Sequence, residues 1–242
     1  MPKQLLLYEL ITPISLARHA EWSVKPDIHY SFAAEANAVP LMLVEFTAAA
    51  HAFPIVFAAE GDEIAPIAVL GLDRDKSLFV GKDGKWGSSY IPAFIRRYPF
   101  VFSASQDNQT LTLCIDESFD GFDRKGQTGQ RLFDDAGQRT AFLADMLEFT
   151  NAYQGEHQRT RQLCALLKEF DILEPTEAKI VLPGGAERSL TGFQCASRDK
   201  MKALPPDRLA ALAASDMLEL VYLHLYSMRN FEALIGRLPM AA

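Results

Sequence analysis

Trp86, Tyr90, Arg96 and Arg97 fall within one short stretch, GKWGSSYIPAFIRRYPFVF (Gly84–Phe102), and are residue types that recognise ligands by contact. Aromatic faces and guanidinium groups are enriched at binding hot spots. An arginine fork can hold a carboxylate or an acidic peptide through two parallel hydrogen bonds. This reading makes Trp86, Tyr90, Arg96 and Arg97 a ligand-binding set, with a protein, a peptide or a small acidic ligand as the expected partner. The same residues admit a packing reading, in which Trp86 and Tyr98 are core and both arginines pair within the chain.

Acid–base chemistry would have to be assembled from scattered residues such as Glu45, His51, His157 and His224. Glu45 and His51 are spaced so that one helix would turn them to opposing faces. His157 lies near an apolar stripe with Phe149, Tyr153, Cys164 and Leu167, and His224 near Val221, Met228 and Phe231. A core histidine with satisfied hydrogen bonds fits that setting better than a ligand or a general base. No G-x-S-x-G elbow and no lysine-paired serine motif occurs.

Metal and nucleotide chemistry find little support. The acidic run Asp116, Glu117, Asp120 and Asp123 lacks the D-x-D-x-D-G order of a calcium loop and reads as a solvated loop. GKDGKWGSS lacks the spacing of a phosphate loop and reads as a hairpin turn. Cys114, Cys164 and Cys195 are far apart, form no C-x-x-C pair and are odd in number, which predicts reduced, buried thiols. No metal and no cofactor is expected.

With 242 residues, 49% hydrophobic and 23% charged, the composition is that of an ordinary globular protein. A net charge of −7 without segregated basic residues opposes nucleic-acid binding. The start, MPKQLLLYELITPISL, is broken by Glu9 and Pro13 where a signal peptide needs an unbroken apolar run, so a cytoplasmic protein is expected. VPLMLVEFTAAAHAFPIVFAA approaches spanning length, but Glu45, His51 and Pro54 interrupt it. No transmembrane segment is expected.

The elements that must position these residues follow from periodicity. A helix is predicted from about Pro40 to Ala52, then strands at PIVFAAE, IAPIAVLGL and SLFVGKDGKW forming a meander, with a tight turn at Asp83-Gly84. Ile91, Phe94, Ile95 and Tyr98 form one apolar stripe on a short helix that Ser88 or Ser89 caps and Pro99 ends, with Arg96 and Arg97 projecting away from the stripe. Strands at about Phe100–Ala104 and Thr110–Ile115 flank the turn SQDNQ. Ile115–Gly137 shows neither period and is expected to be a long loop of the kind that closes over sites. A helix or helix pair around a weak point at Gly155 follows, then strands AKIVLP and RSLTGFQC meeting at Gly184-Gly185. Two final helices end the chain, the second opened by Asp216 with Glu219 as a capping pair.

FPIVF (Phe53–Phe57), LGLDRDKSLFVGKDGKWGSSYIPAFIRRYPF (Leu70–Phe100), IDE followed by LFDDAG, and LTGF with LYSMRNFEAL together resemble the bacterial SapC-like proteins. The resemblance spans nearly the whole chain. It implies a soluble protein, distinct from the peptide-transporter permease of the same name, with an uncertain biochemical role. The family's genes are often found near flavin-dependent tryptophan-halogenase-like and cupin-like proteins and outer-membrane receptors. No catalytic residue carries over from the family.

The expected fold is α+β. It is a single domain over residues 1–242, with an antiparallel sheet built mostly from residues 54–116, helices packed on it, and a mainly helical part over about 138–238. The expected function is a non-catalytic binding or accessory protein acting through the aromatic and arginine surface. The alternative is an enzyme with a His/Glu site assembled by folding, acting with halogenase-like or cupin-like partners.

Overall fold

The computed structural model describes residues 6–27, 29–105, 109–181, 185 and 187–238. The first part of the chain forms β1 (Ile11–Pro13), α1 (Leu16–His19), β2 (Ser23–Val24), β3 (Ala38–Pro40), α2 (Phe46–Ala49), β4 (Ile55–Glu60), β5 (Glu63–Val69) and α3 (Ala93–Arg96). The middle forms β6 (Phe100–Ala104), β7 (Leu111–Asp116), β8 (Phe122–Asp123), β9 (Gln130–Arg131) and α4 (Ala141–Glu169). After it come β10 (Leu173–Val181), β11 (Glu187–Ala196), α5 (Arg198–Lys202), α6 (Pro206–Ala214), α7 (Met217–Ser227) and α8 (Asn230–Gly236). The class is α+β, with antiparallel sheets and a helical C-terminal part.

The residues group into two compact units, each drawn from separate stretches of chain. One holds the residues up to Ala33 with Val80–Trp86 and Phe94–Gln154; the other holds Ala34–Phe79, Gly87–Ala93 and the residues from Gly155 onward. The strands of residues 54–116, expected in one sheet, are divided accordingly. β4 and β5 belong to a five-stranded sheet and β6 and β7 to a three-stranded one. SLFVGKDGKW adds no strand, making only a single bridge between Val80 and Trp86. Its alternation is interrupted by the glycines and lysines of the turn, which leave too short a run to pair.

In the first unit, β7 lies between β1 and β6, with Pro13 opposite Cys114 and Phe100 opposite Ile115. A second small sheet places β2 between β8 and β9. The core is aromatic. Tyr98 stacks on Phe32 at 4.2 Å and meets Tyr8 and Phe119 edge-on at 5.1 and 5.2 Å. Such pairs contribute about 0.5–1.5 kcal/mol each beyond their burial.

The long loop expected over Ile115–Gly137 is instead an ordered course. The Asp116 carboxylate accepts the N–H groups of Glu9 at 2.7 Å, Leu10 at 3.0 Å and Ser118 at 3.0 Å. Asp123 accepts those of Lys125, Gln127 and Thr128, and Asp134 those of Ala136 and Gln138. Aspartate-closed turns have no hydrophobic period, so a search for periodicity reads them as irregular chain.

In the second unit the sheet order is β10-β11-β4-β5-β3. Ile55, Val56 and Phe57 are fully buried, and Asn230 on α8 donates from its side-chain amide to the carbonyls of Ala50 and Phe53. The helix expected over Pro40–Ala52 is shortened to a 3-10 turn and α2, because Val39 and Pro40 pair with β5 as strand β3. Gly155 does not break α4, which runs unbroken through it. Asp216 sits at φ 60° and makes no side-chain cap, so the Asp216–Glu219 capping pair does not form. The turns expected at SQDNQ and Gly184-Gly185 lie partly outside the described residues.

Candidate functional site

The structure separates the two adjacent arginines. Arg96 is exposed, with its guanidinium 5.2 Å from the centre of the Phe149 ring. Arg97, expected to project outward, is buried at 2% exposure, and its Nε and Nη2 meet no hydrogen-bond acceptor. It lies among the rings of Tyr153 at 4.3 Å, Phe94 at 5.0 Å and Tyr8 at 5.8 Å. The reason is that α3 is a single turn. Phe100 N–H already bonds Arg97 O at 2.7 Å, so Arg97 has left the helical period that would have turned it to solvent. Burial raises the Tyr8 phenol to about 12, with the Arg97 guanidinium pulling the other way.

Tyr90 belongs to the second unit, where its hydroxyl donates to Glu45 Oε1 at 2.8 Å. The same oxygen accepts Ala93 N–H at 2.7 Å, and Oε2 accepts Met42 N–H at 2.8 Å. Glu45 is therefore a buried hub that holds the segment before α3, with both oxygens occupied.

Trp86 is half-buried in the first unit, 5.9 Å from the ring of Tyr30. The Asp83-Gly84 turn positions it. Gly84 N–H bonds Gly81 O, Gly81 N–H bonds Lys85 O, and Tyr30 N–H bonds Gly84 O at 2.7 Å. Gly84 has φ 73°, and a Cβ there would stand 2.8 Å from His29 Nδ1. Only glycine allows that approach at that dihedral. Beside Tyr30 the surface opens into a hollow of about 530 Å³ lined by Pro26, Asp27, His29, Tyr30 and Lys85. The Lys85 ammonium lies 3.8 Å from the Asp83 carboxylate, and its side chain is 81% exposed, so it stays reachable from solvent. The sequence singled out Trp86 but not Tyr30, His29 or Lys85. Tyr30 and His29 come from a distant part of the chain, and no local spacing links them to the turn.

Of the residues weighed for proton transfer, Glu45 and His224 are engaged in holding the backbone. His224 is fully buried; its Nδ1 donates to Ile55 O at 2.7 Å and its Nε2 accepts Ala196 N–H at 3.0 Å. Burial lowers its pKa to about 4, and the bond to Ile55 only partly offsets this. His51 is exposed and meets Tyr226 edge-on at 5.6 Å. His157 is half-buried on α4. The buried Glu117 accepts from Arg18 and from His19 Nε2; its burial raises the carboxyl, and these two partners outweigh that and hold it below its ordinary value. For Asp116, burial likewise works upward and the bonds from Ser118, Glu9 and Leu10 hold it down.

The three cysteines are free and buried, and burial pushes Cys164 up to about 12 and Cys195 to about 11. Thiolates are the reactive form, so these are inert side chains. Among the described residues no three His, Cys, Asp or Glu gather as a metal site, and no single helix is long and apolar enough to cross a membrane.

Neither curated proteins nor solved structures give a match to this chain. A family model described as SapC matches residues 14–234, and the chain belongs to the SapC family.

Proposed function

We propose that this protein is a non-catalytic binding or accessory protein that takes a peptide or small acidic ligand at the face beside Trp86. The observation that carries this reading is the open hollow in which Tyr30, His29 and the solvent-reachable Lys85 come together next to the Trp86 ring. An aromatic wall with a neighbouring cation suits a carboxylate attached to a flat or apolar body, and Asp27 on the same rim suits the positive end of a peptide. Glu45 and His224 support the same reading, since their polar atoms are engaged in structural hydrogen bonds.

Arg97 and Tyr90 have no place in this surface, since Arg97 is buried and the Tyr90 hydroxyl donates to Glu45. Arg96, exposed over Phe149, remains a candidate contact for a larger acidic partner. Titration with acidic and neutral peptide libraries, followed by calorimetry, tests the proposal. Binding that Trp86→Ala and Lys85→Ala weaken by about tenfold or more, with unchanged melting temperature, supports it. Binding indifferent to both substitutions overturns it.

A further inference from the structure

In the first unit a cleft of about 480 Å³ opens between the β6–β7 sheet and the N-terminal turns of α4, well apart in composition from the Trp86 hollow. Phe102, Leu111 and Leu113 from the sheet, Leu143 and Leu147 from the helix and Leu16 at one end give it an apolar flank, while Ser15, Thr112 and Arg139 are among the residues that give it polar surface of similar extent. Leu143 is buried at 1% exposure, whereas Leu16 and Leu111 remain 45% and 43% exposed at the rim. The volume lies within the roughly 300–1,000 Å³ of small-molecule sites.

One charge stands at this cleft. Arg139 lines it and is exposed, and among the described residues it makes no ion pair. None of the lining residues is acidic, and the first turn of α4 carries no carboxylate. Three other arginines are occupied: Arg18 holds Glu117, Arg131 holds Asp135 and Arg161 holds Glu63. A cleft with an apolar flank of leucine and phenylalanine side chains and a single unengaged guanidinium is complementary to a molecule with an apolar tail and one negative head.

We infer that this cleft binds a medium-chain monocarboxylate, its tail between the β6–β7 sheet and α4 and its carboxylate on Arg139. Burial of the tail supplies the affinity, at a rate that rises with each methylene removed from water. The guanidinium fixes the orientation and selects the acid over a neutral analogue, because a charge-assisted hydrogen bond is about twice as strong as a neutral one.

Calorimetry with decanoate, decanol and a short peptide ending in leucine tests this on the full chain. Decanoate is expected to bind saturably and to raise the melting temperature, with decanol weaker by about tenfold. Arg139→Gln should weaken decanoate by a similar factor while leaving decanol unchanged. Leu147→Trp, which fills the half-buried wall, should abolish both. Trp86→Ala should change neither, which keeps this site distinguishable from the one beside Trp86. Overturning results are absence of decanoate binding, decanoate binding indifferent to both cleft substitutions, or binding of the peptide in place of decanoate, which would assign the cleft to a protein C-terminus.

Discussion

The Nε2 of His19 lies 3.1 Å from Glu117 Oε1, and the backbone N–H of Ser15 occupies the other ring nitrogen at 3.1 Å. The Ser15 bond makes Nδ1 an acceptor, so Nε2 carries the proton and donates to Glu117. A histidine so fixed orients α1 on β7 and is not a free base.

Glu117→Gln is expected to cost roughly 1–3 kcal/mol at neutral pH. A carboxyl whose folded pKa lies below its unfolded value stabilises fully above the unfolded value, and that contribution is lost as pH falls through the folded one. The gap between wild type and variant should therefore close on acidification. Chemical denaturation at several pH values checks this; a gap that widens in acid contradicts it.

His224 titrates in the opposite sense to a paired histidine. Its folded pKa of about 4 is below the ordinary 6.5, so between these values the unfolded chain binds the proton and the folded one does not. Stability should fall by roughly 3 kcal/mol as pH drops across that window. His224→Phe should abolish this component while costing about 2–5 kcal/mol at pH 7, since Ile55 O and Ala196 N–H lose their partner. A variant with an unchanged pH slope would refute the assignment.

Arg97→Met should leave the melting temperature equal or raised, whereas Arg97→Ala should lower stability by about 2–4 kcal/mol. The buried guanidinium has two nitrogens without acceptors, so an apolar chain of similar length removes an uncompensated desolvation cost, while alanine leaves a cavity. Loss of folding in the methionine variant would show that the charge itself is needed.

Gly84→Ala is expected to lower stability by about 1–3 kcal/mol, combining a positive φ with a Cβ pressed against His29 Nδ1 and Ser31 Oγ. It should also displace Trp86 and weaken any ligand held beside it. Tryptophan emission, compared between the folded variant and wild type, reads that displacement.

Much of the fold was legible because it rests on local chemistry. β4 and β5, the Asp83-Gly84 turn, the β6–β7 hairpin and the buried cysteines all follow from alternation, turn residues and spacing. His224 was readable as a core histidine from its apolar neighbours, though its two backbone partners were not. The site was less legible. Arg96 and Arg97 look equivalent in sequence, and only the single-turn length of α3 sends one outward and the other in. Tyr30 meets Trp86, and Leu16 and Leu111 line one cleft, across long stretches of chain that no periodicity connects.

The segment from Asp116 to Gln138 keeps its course through three carboxylates that gather backbone N–H groups, with two-residue strands as its only ladder. Its path is thus written at a few anchoring positions. Exposed residues between them, such as Asp120, Lys125 and Gln127, have side chains free of that duty. Evolution can rewrite those side chains and so change what this surface greets, while the ribbon beneath stays where it is.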